Sequence, residues 1–443
     1  MKIFRDLFLG NRFFIGLSLL IGALIASYPF PFLLPYAKTG CILYALLLVI
    51  DTIVLFNRSV QIDARRKTPS VLSLGDENEI VLVFQNRSNL ELDAEVIDEL
   101  PVQLQIRTSS HRLHLSPGVV IDRRYSVRPL SRGEYLFGNI HVFVRSRMGL
   151  ISRRITVGQP LNLPVYPSIV QMRKYEIRAS ARLATEYGVK KVRRVGHSYE
   201  FEHIKQYMRG DDYRSINWKA TSRRAHIMVN QYEDEKSQQV YCIIDKSRVM
   251  HMPFNGLSLF DHAVNAALVI SNIVLGKHDR AGLLTFAEAP KSMLKAERGK
   301  MQLKKILDLL YKEKEDAVEA NYESMYLGLN RMVNGRGLLL LFTNFESMYA
   351  LQRVIPQLKR LNNQHLLVVI FFENTEITSQ VGAPANTLGE VYKEAIAEDY
   401  KLTKIQLVQE LRQHGIMSIL TRPEELIVTS INKYLELKSM GMI

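Results

Sequence analysis

Residues 240–245 read VYCIID, a run of apolar side chains closed by a carboxylate. Four further apolar runs follow: GLLTF at 282–286, GLLLLFTNF at 337–345, HLLVVIFF at 365–372 and IMSIL at 416–420. Helix-like segments fall between them, around 259–275, 301–312, 322–333, 350–361, 388–414 and 423–437. Buried strands alternating with amphipathic helices predict a parallel, doubly wound sheet. Residues 239–443 are therefore expected to form an α/β domain. In the longest helical segment, Tyr392, Ile396, Tyr400, Leu407 and Leu411 mark an apolar stripe that is expected to pack on the core.

Open sheets of this kind bind ligands beyond the carboxyl ends of their strands. Asp245 and Ser247, after the first run, and Thr343 and Asn344, after the third, converge on that edge. Oxygen ligands of this type suit hard cations. The sequence contains no dinucleotide fingerprint, no P-loop and no HExxH motif, and no serine or cysteine is paired with a recognisable base. Catalysis of those kinds is disfavoured.

Upstream, residues 209–224 read RGDDYRSINWKATSRR, with the only tryptophan of the chain and five cationic side chains. Gly210 suits a tight turn, and Asp212 suits the cap of a short helix over 213–218. Two readings of this segment stand. In one, Asp211 and Asp212 pair with neighbouring arginines and Trp218 plugs a core. In the other, the arginines face an acidic partner or a phosphate, which a guanidinium fork matches. Before it, Lys190, Lys191, Arg193 and Arg194 crowd a polar stretch that reads as a solvated linker or a patch facing anionic lipid.

Between 62 and 165, short runs of alternating polarity are separated by turns containing Asn, Gly and Pro, which predicts an antiparallel β-sandwich. Ahead of it lie two apolar runs, 13–28 and 39–56, divided by Pro29, Pro31 and Pro35. With tilt, spans of this length suit a bilayer. Lys2, Arg5 and Arg12 precede the first, Arg58, Arg65, Arg66 and Lys67 follow the second, and the connecting loop offers only Lys38. The positive-inside rule then puts both ends, and the body that follows, on the cytoplasmic side. Asp51 lies within the second run, where a carboxylate needs a partner or water. A cleaved leader is the alternative for the first run, but the small-residue pattern around Ala26 is poor.

The chain has 443 residues, 58 Lys and Arg against 44 Asp and Glu, and a formal net charge of +14. That balance suits an anionic membrane face, an acidic protein or nucleic acid. No basic tract or stacking groove selects specific nucleic-acid binding. Cys41 and Cys242 both fall in apolar runs, so neither a disulfide framework nor a thiolate zinc site is expected.

The ordered set Gly196, Glu200, Phe201, Tyr207, Gly210, Asp211, Asp212, Arg214, Ile216, Trp218, Lys219 and Arg223, followed by Asp245 and Ser247, resembles the signature of the bacterial family called domain of unknown function 58. That resemblance implies a carboxyl-terminal von Willebrand factor A-like domain, in proteins that accompany MoxR-type AAA+ ATPases in assembling, maturing or remodelling other complexes, some in envelope stress tolerance. It also implies a binding role for the signature residues and leaves the reaction to the ATPase. The metal motif of such domains is degenerate here. Val249 occupies the fifth position of its Asp-x-Ser-x-Ser run, where a hydroxyl is wanted, and Asn344 the place of a common Asp, which leaves Asp245 and Ser247 as a reduced magnesium site.

The expected organisation is a transmembrane helical hairpin at 1–60, a β-sandwich at 61–168, a basic linker and signature at 169–238, and the von Willebrand A-like domain at 239–443. The expected function is a non-enzymatic adaptor in the inner membrane, with the body in the cytoplasm. Its expected partners are a MoxR-type ATPase and other membrane or envelope proteins, with no specific nucleic acid and no required cofactor. The alternative is a metal-dependent phosphodiester hydrolase using Glu200, Glu202, Asp211 and Asp212.

Overall fold

The computed structural model describes residues 5–57, 59–106, 110–172, 175, 200–208, 213–224, 226–233, 237–378 and 387–442. The chain divides into two compact units, Met1–Ser168 and Ile169–Ile443.

The first unit opens with strand β1 (Leu7–Leu9), then helices α1 (Asn11–Ala26) and α2 (Leu34–Phe56). A single 3-10 turn, Pro31–Leu33, joins the helices, and Pro35 sits in the first turn of α2, where a missing N–H is harmless. The strands that follow are β2 (Ile62–Lys67), β3 (Leu72–Ser73), β4 (Asn78–Asn86), β5 (Leu92–Asp98), β6 (Ser110–Leu115), β7 (Val120–Val127), β8 (Gly133–Phe137), β9 (Ile140–Arg145), β10 (Ile151–Val157) and β11 (Leu161–Tyr166). They form three sheets, ordered β1-β10-β9-β5-β6, β2-β4-β7 and β3-β11-β8. Every pairing is antiparallel except β3 with β11. Alternation places Leu82 and Phe84 of β4, Ala94 and Val96 of β5, and Val142 and Val144 of β9 in one core.

Two expectations change at the amino-terminal end. Residues 1–60 are not all anchor, because Leu7–Leu9 pairs with β10 and adds a strand to the five-stranded sheet. Further, Pro31–Phe56 is long and apolar enough to cross a membrane, at mean hydropathy 2.3, whereas α1 is a shorter apolar helix of 16 residues, about 24 Å. The other helix passing the test of length and composition, Leu259–Gly276, is mostly buried inside the second unit.

The helical pair is fastened to these sheets. Asp51 on α2 is only 1% exposed. Its carboxylate accepts hydrogen bonds from the Ser146 hydroxyl and from the N–H groups of Leu150 at 3.2 Å and Ile151 at 3.1 Å. Arg153 donates to the Leu55 carbonyl at 2.8 Å and lies over the Phe56 ring. On α1, Arg12 donates to the carbonyls of Arg147 and Met148, each at 3.0 Å. Gly10 donates to Leu150 O at 2.8 Å, an approach so close that a Cβ there would sit 2.5 Å from the Gly149 carbonyl oxygen.

The second unit begins with β12 (Glu200–Gln206), α3 (Trp218–Arg224) and β13 (Met228–Glu233). Then come β14 (Gln239–Asp245), the short β15 (Pro253–Phe254) and β16 (Leu257–Ser258), α4 (Leu259–Gly276), β17 (Arg280–Phe286), β18 (Pro290–Glu297), α5 (Lys300–Lys312) and α6 (Tyr322–Met332). The chain closes with β19 (Leu338–Phe342), α7 (Met348–Gln364), β20 (Leu366–Phe372), α8 (Thr375–Thr378), α9 (Leu388–Gln413), β21 (Met417–Thr421) and α10 (Leu426–Ser439).

One six-stranded sheet, ordered β18-β17-β14-β19-β20-β21, organises the α/β region. Five strands are parallel, as the apolar runs predict, and β18 pairs antiparallel on β17 at the edge. Residues 290–297 escaped prediction because an edge strand buries one side only, and its polar residues carry an exposed face. Helices cover both faces. Val240, Cys242 and Ile244 point to a core shared with α4, α5 and α10, while Tyr241 and Ile243 point to a second core shared with α6, α7 and α9. Gly282 makes room for Tyr241, since a Cβ there would fall 2.3 Å from that ring.

The stripe expected along α9 is only half buried. Leu407 and Leu411 enter the core and Tyr400 is half-buried, but Tyr392 and Ile396 are each 65% exposed. A helix of 26 residues is about 39 Å long and overruns the sheet that its carboxyl-terminal half covers.

Candidate functional site

The carboxyl edge of the sheet does bring Asp245, Ser247, Thr343 and Asn344 together. Asp245 is fully buried, and burial raises its pKa against the pull of its hydrogen bonds. It accepts from the Thr343 hydroxyl at 2.7 Å, the Ser247 N–H at 2.9 Å and the Tyr322 hydroxyl at 3.5 Å. Tyr322 also meets Thr343 at 2.7 Å and stacks on Phe345, and burial pushes its phenol well above the ordinary range.

Two lysines complete this edge. Lys246, fully buried, turns away from Asp245 and pairs with Glu313 at 3.0 Å and Asp316 at 2.9 Å. Lys404, reaching in from α9, donates to Asn344 Oδ1 at 2.8 Å and to the Phe345 carbonyl at 2.7 Å. Burial pulls its pKa down to about 8, against the attraction of Glu346. Beside this cluster lies a cavity of about 110 Å³ lined by Arg248, Glu319, Glu346, Ser347 and Arg353, among others.

This donor set does not fit a magnesium ion. Both Asp245 oxygens are engaged by protein donors, Val249 offers no oxygen side chain, and the Asn344 oxygen already holds an ammonium. Octahedral magnesium demands free, near-ideal oxygen ligands. Among the described residues, no group of three or more His, Cys, Asp or Glu side chains is arranged to hold a metal ion.

The signature segment is built differently. β12 and β13 form a two-stranded antiparallel sheet, and the connection between them folds back on it. Tyr213–Ser215 makes a 3-10 turn, Ile216 bridges to Val229, and α3 follows. The helix thus starts five residues later than expected. Its cap is Asn217, whose Oδ1 accepts the Ala220 N–H at 3.0 Å. Asn217 Nδ2 reaches Asn230 Oδ1 at 2.8 Å, its N–H meets Met228 O at 2.8 Å, and Thr221 Oγ1 accepts the Met228 N–H at 3.0 Å. Asn217 and Thr221 are the positioning residues that the signature overlooked. The signal for the first was present, since Asn directly before a helical turn is a preferred cap.

Trp218 does not plug a core. It is 72% exposed, as are Tyr213 at 68% and Met208 at 69%. Arg214, Lys219, Arg223 and Arg224 are exposed around it, and the Arg214 guanidinium lies 5.7 Å from the Tyr213 ring centre. The reason is register: Met228 and Val229 of β13 supply the buried contacts, and Trp218, as the first residue of α3, falls outside them. Tyr207 is half-buried, its N–H on Ile227 O at 2.8 Å. Glu200, Phe201 and Glu202 lie in β12. Gly196, Gly210, Asp211 and Asp212, like Lys190, Lys191, Arg193 and Arg194, are outside the described residues.

With the geometry of β12, α3 and β13 in place, comparison with known proteins gives a family for this segment. Residues 203–379 match the model of DUF58, a protein of unknown function. The DUF58 segment thus runs from the signature through the first five strands, in chain order, of the six-stranded sheet and on past α8. A relative in Bacillus subtilis (strain 168), the uncharacterized protein YeaD, is 23% identical over 183 residues, 41% of this chain and 43% of its own length. This chain therefore matches less than half of that curated relative. Among solved structures, a conserved hypothetical protein BatB from Bacteroides thetaiotaomicron is 12% identical with a TM-score of 0.29, covering 46% of this chain and all of its own. A CARDB domain from Pyrococcus furiosus is 12% identical with a TM-score of 0.17, covering 23% of this chain and 98% of its own.

Proposed function

We propose that this chain is a membrane-anchored interaction protein that uses its DUF58 signature as a docking surface for a MoxR-type AAA+ ATPase. In this reading α1 and α2 cross the bilayer as a hairpin, the following sheets form a β-sandwich, and the α/β region is a von Willebrand A-like domain in the cytoplasm. Basic residues flank both ends of the hairpin, and Lys38, in the first turns of α2, is the one cation near its far end, which supports that orientation. The ATPase supplies the reaction, and this chain supplies recognition during assembly, maturation or stress-related remodelling of other complexes.

The observation that carries this reading is the exposure of Trp218 amid Arg214, Lys219 and Arg223 on a scaffold fixed by Asn217 and Thr221. Exposed Trp and Arg are the residues from which interaction hot spots are most often built. A sheet edge whose Asp245 and Asn344 side chains are already paired, with Asn344 tied by Lys404, suits a binding role. Of the residues the hydrolase alternative would use, Asp211 and Asp212 lie outside the described residues.

The test is capture from native membranes with the detergent-solubilised full chain. An AAA+ ATPase is expected in the eluate, and Trp218→Ala or Arg214→Ala is expected to reduce its recovery at least tenfold. Recovery of no ATPase, or equal recovery by wild type and both variants, refutes the proposal.

A further inference from the structure

We propose that the signature surface of one copy docks on the amino-terminal half of α9 of a second copy, a head-to-tail contact between chains. Two faces of the second unit carry large apolar side chains that its own fold leaves uncovered. On one, Met208, Tyr213, Trp218 and Ile227 are 46–72% exposed. On the other, Leu388, Val391, Tyr392 and Ile396 are 51–78% exposed, and none of the first nine residues of α9 is buried. Their spacing of three and four residues puts them on one side of the helix.

The two faces have opposite charge. Residues 208–227 carry Arg209, Arg214, Lys219, Arg223 and Arg224 against Asp211 and Asp212. Residues 388–401 carry Glu390, Glu394, Glu398 and Asp399 against Lys393 and Lys401. Each surface therefore offers an aromatic-apolar strip bordered by charge that attracts the other, the arrangement that gives register and rejects wrong partners. The acidic border also argues against an anionic lipid surface as the occupant of α9. Because the two patches differ, the contact is heterologous and each copy keeps one of each kind free for the next, which generates a ring or a row. The contact is independent of the ATPase reading; where both hold, a neighbouring copy and the ATPase compete for Trp218.

Disulfide trapping tests it with the full chain in detergent, in a Cys41→Ser background, since Cys242 is buried. Trp218→Cys and Tyr392→Cys are made in separate chains. Oxidation of the mixture is expected to give a cross-linked dimer, and neither variant alone is expected to cross-link. Arg223→Glu in one chain or Glu398→Arg in the other is expected to cut the yield at least fivefold, and mixing the two reversed chains to restore it. Equal cross-linking by a single variant shows a symmetric contact and overturns the proposal, as does absence of any cross-link or failure of the reversed pair to recover. Loss of the cross-link on adding anionic vesicles that bind the Trp218→Cys chain through its signature assigns that surface to lipid and also overturns it.

Discussion

Replacing Asp51 by alanine removes the one carboxylate that ties α2 to the sheets of the first unit. The side chain is buried and accepts from Ser146, Leu150 and Ile151. The Ser146 hydroxyl can rotate to another acceptor, but the two backbone N–H groups cannot. A buried donor left without a partner costs about 1–3 kcal/mol, so the substitution is worth about 3–6 kcal/mol once the lost charge-assisted bonds are included. Alanine keeps the helix propensity of α2, so the loss falls on the junction and not on the helix. Amide hydrogen exchange on the full chain in detergent reads it directly. The Leu150 and Ile151 amides are expected to exchange about 10²–10⁴ times faster, at tenfold per 1.4 kcal/mol, while amides in the middle of β4 change little. Exchange at Leu150 and Ile151 within threefold of wild type refutes the reasoning, because the carboxylate would then not be what holds those donors.

Three further outcomes follow from the second unit. Lys404 titrates near 8 when folded and near the ordinary 10.5 when unfolded, so the unfolded chain binds more protons between these values. Wild-type stability relative to Lys404→Met is therefore expected to rise by about 3 kcal/mol from pH 8 to 10.5 and to stay level below pH 8; a flat difference in denaturant titrations removes the cause assigned. Trp218→Ala is expected to change unfolding stability by less than about 0.5 kcal/mol, since an exposed side chain gives up little, and a loss of several kcal/mol places it back in a core. Gly282→Ala is expected to cost about 1–3 kcal/mol by forcing Tyr241 to move, and a neutral result in thermal unfolding denies that close contact.

Much of the α/β region was legible in the chain because its strands are buried on both faces. VYCIID, GLLLLF and HLLVVIFF are continuous apolar runs, and a run of that kind has few alternatives to a central parallel strand. β18 was not legible, since a half-exposed edge strand alternates with lysines like a surface loop. β1 was hidden for another reason. Three residues before a hydrophobic helix acquire their identity only from β10, more than 140 positions away in the chain.

Local chemistry along the chain determined the break at Pro31 and Pro35, the apolar character of α1 and α2, and the gathering of Asp245, Ser247, Thr343 and Asn344 at one edge. Tertiary structure alone decided which charges those residues meet. Lys404 lies 60 positions from Asn344 yet occupies its oxygen, and Asp51 finds its donors about 100 positions away. It also decided that Trp218 and Tyr392 face outward, a matter of which side chains reach a core first. Propensity and periodicity act over a few residues, whereas hydrogen-bond partnership and burial depend on what the rest of the chain brings into the same space.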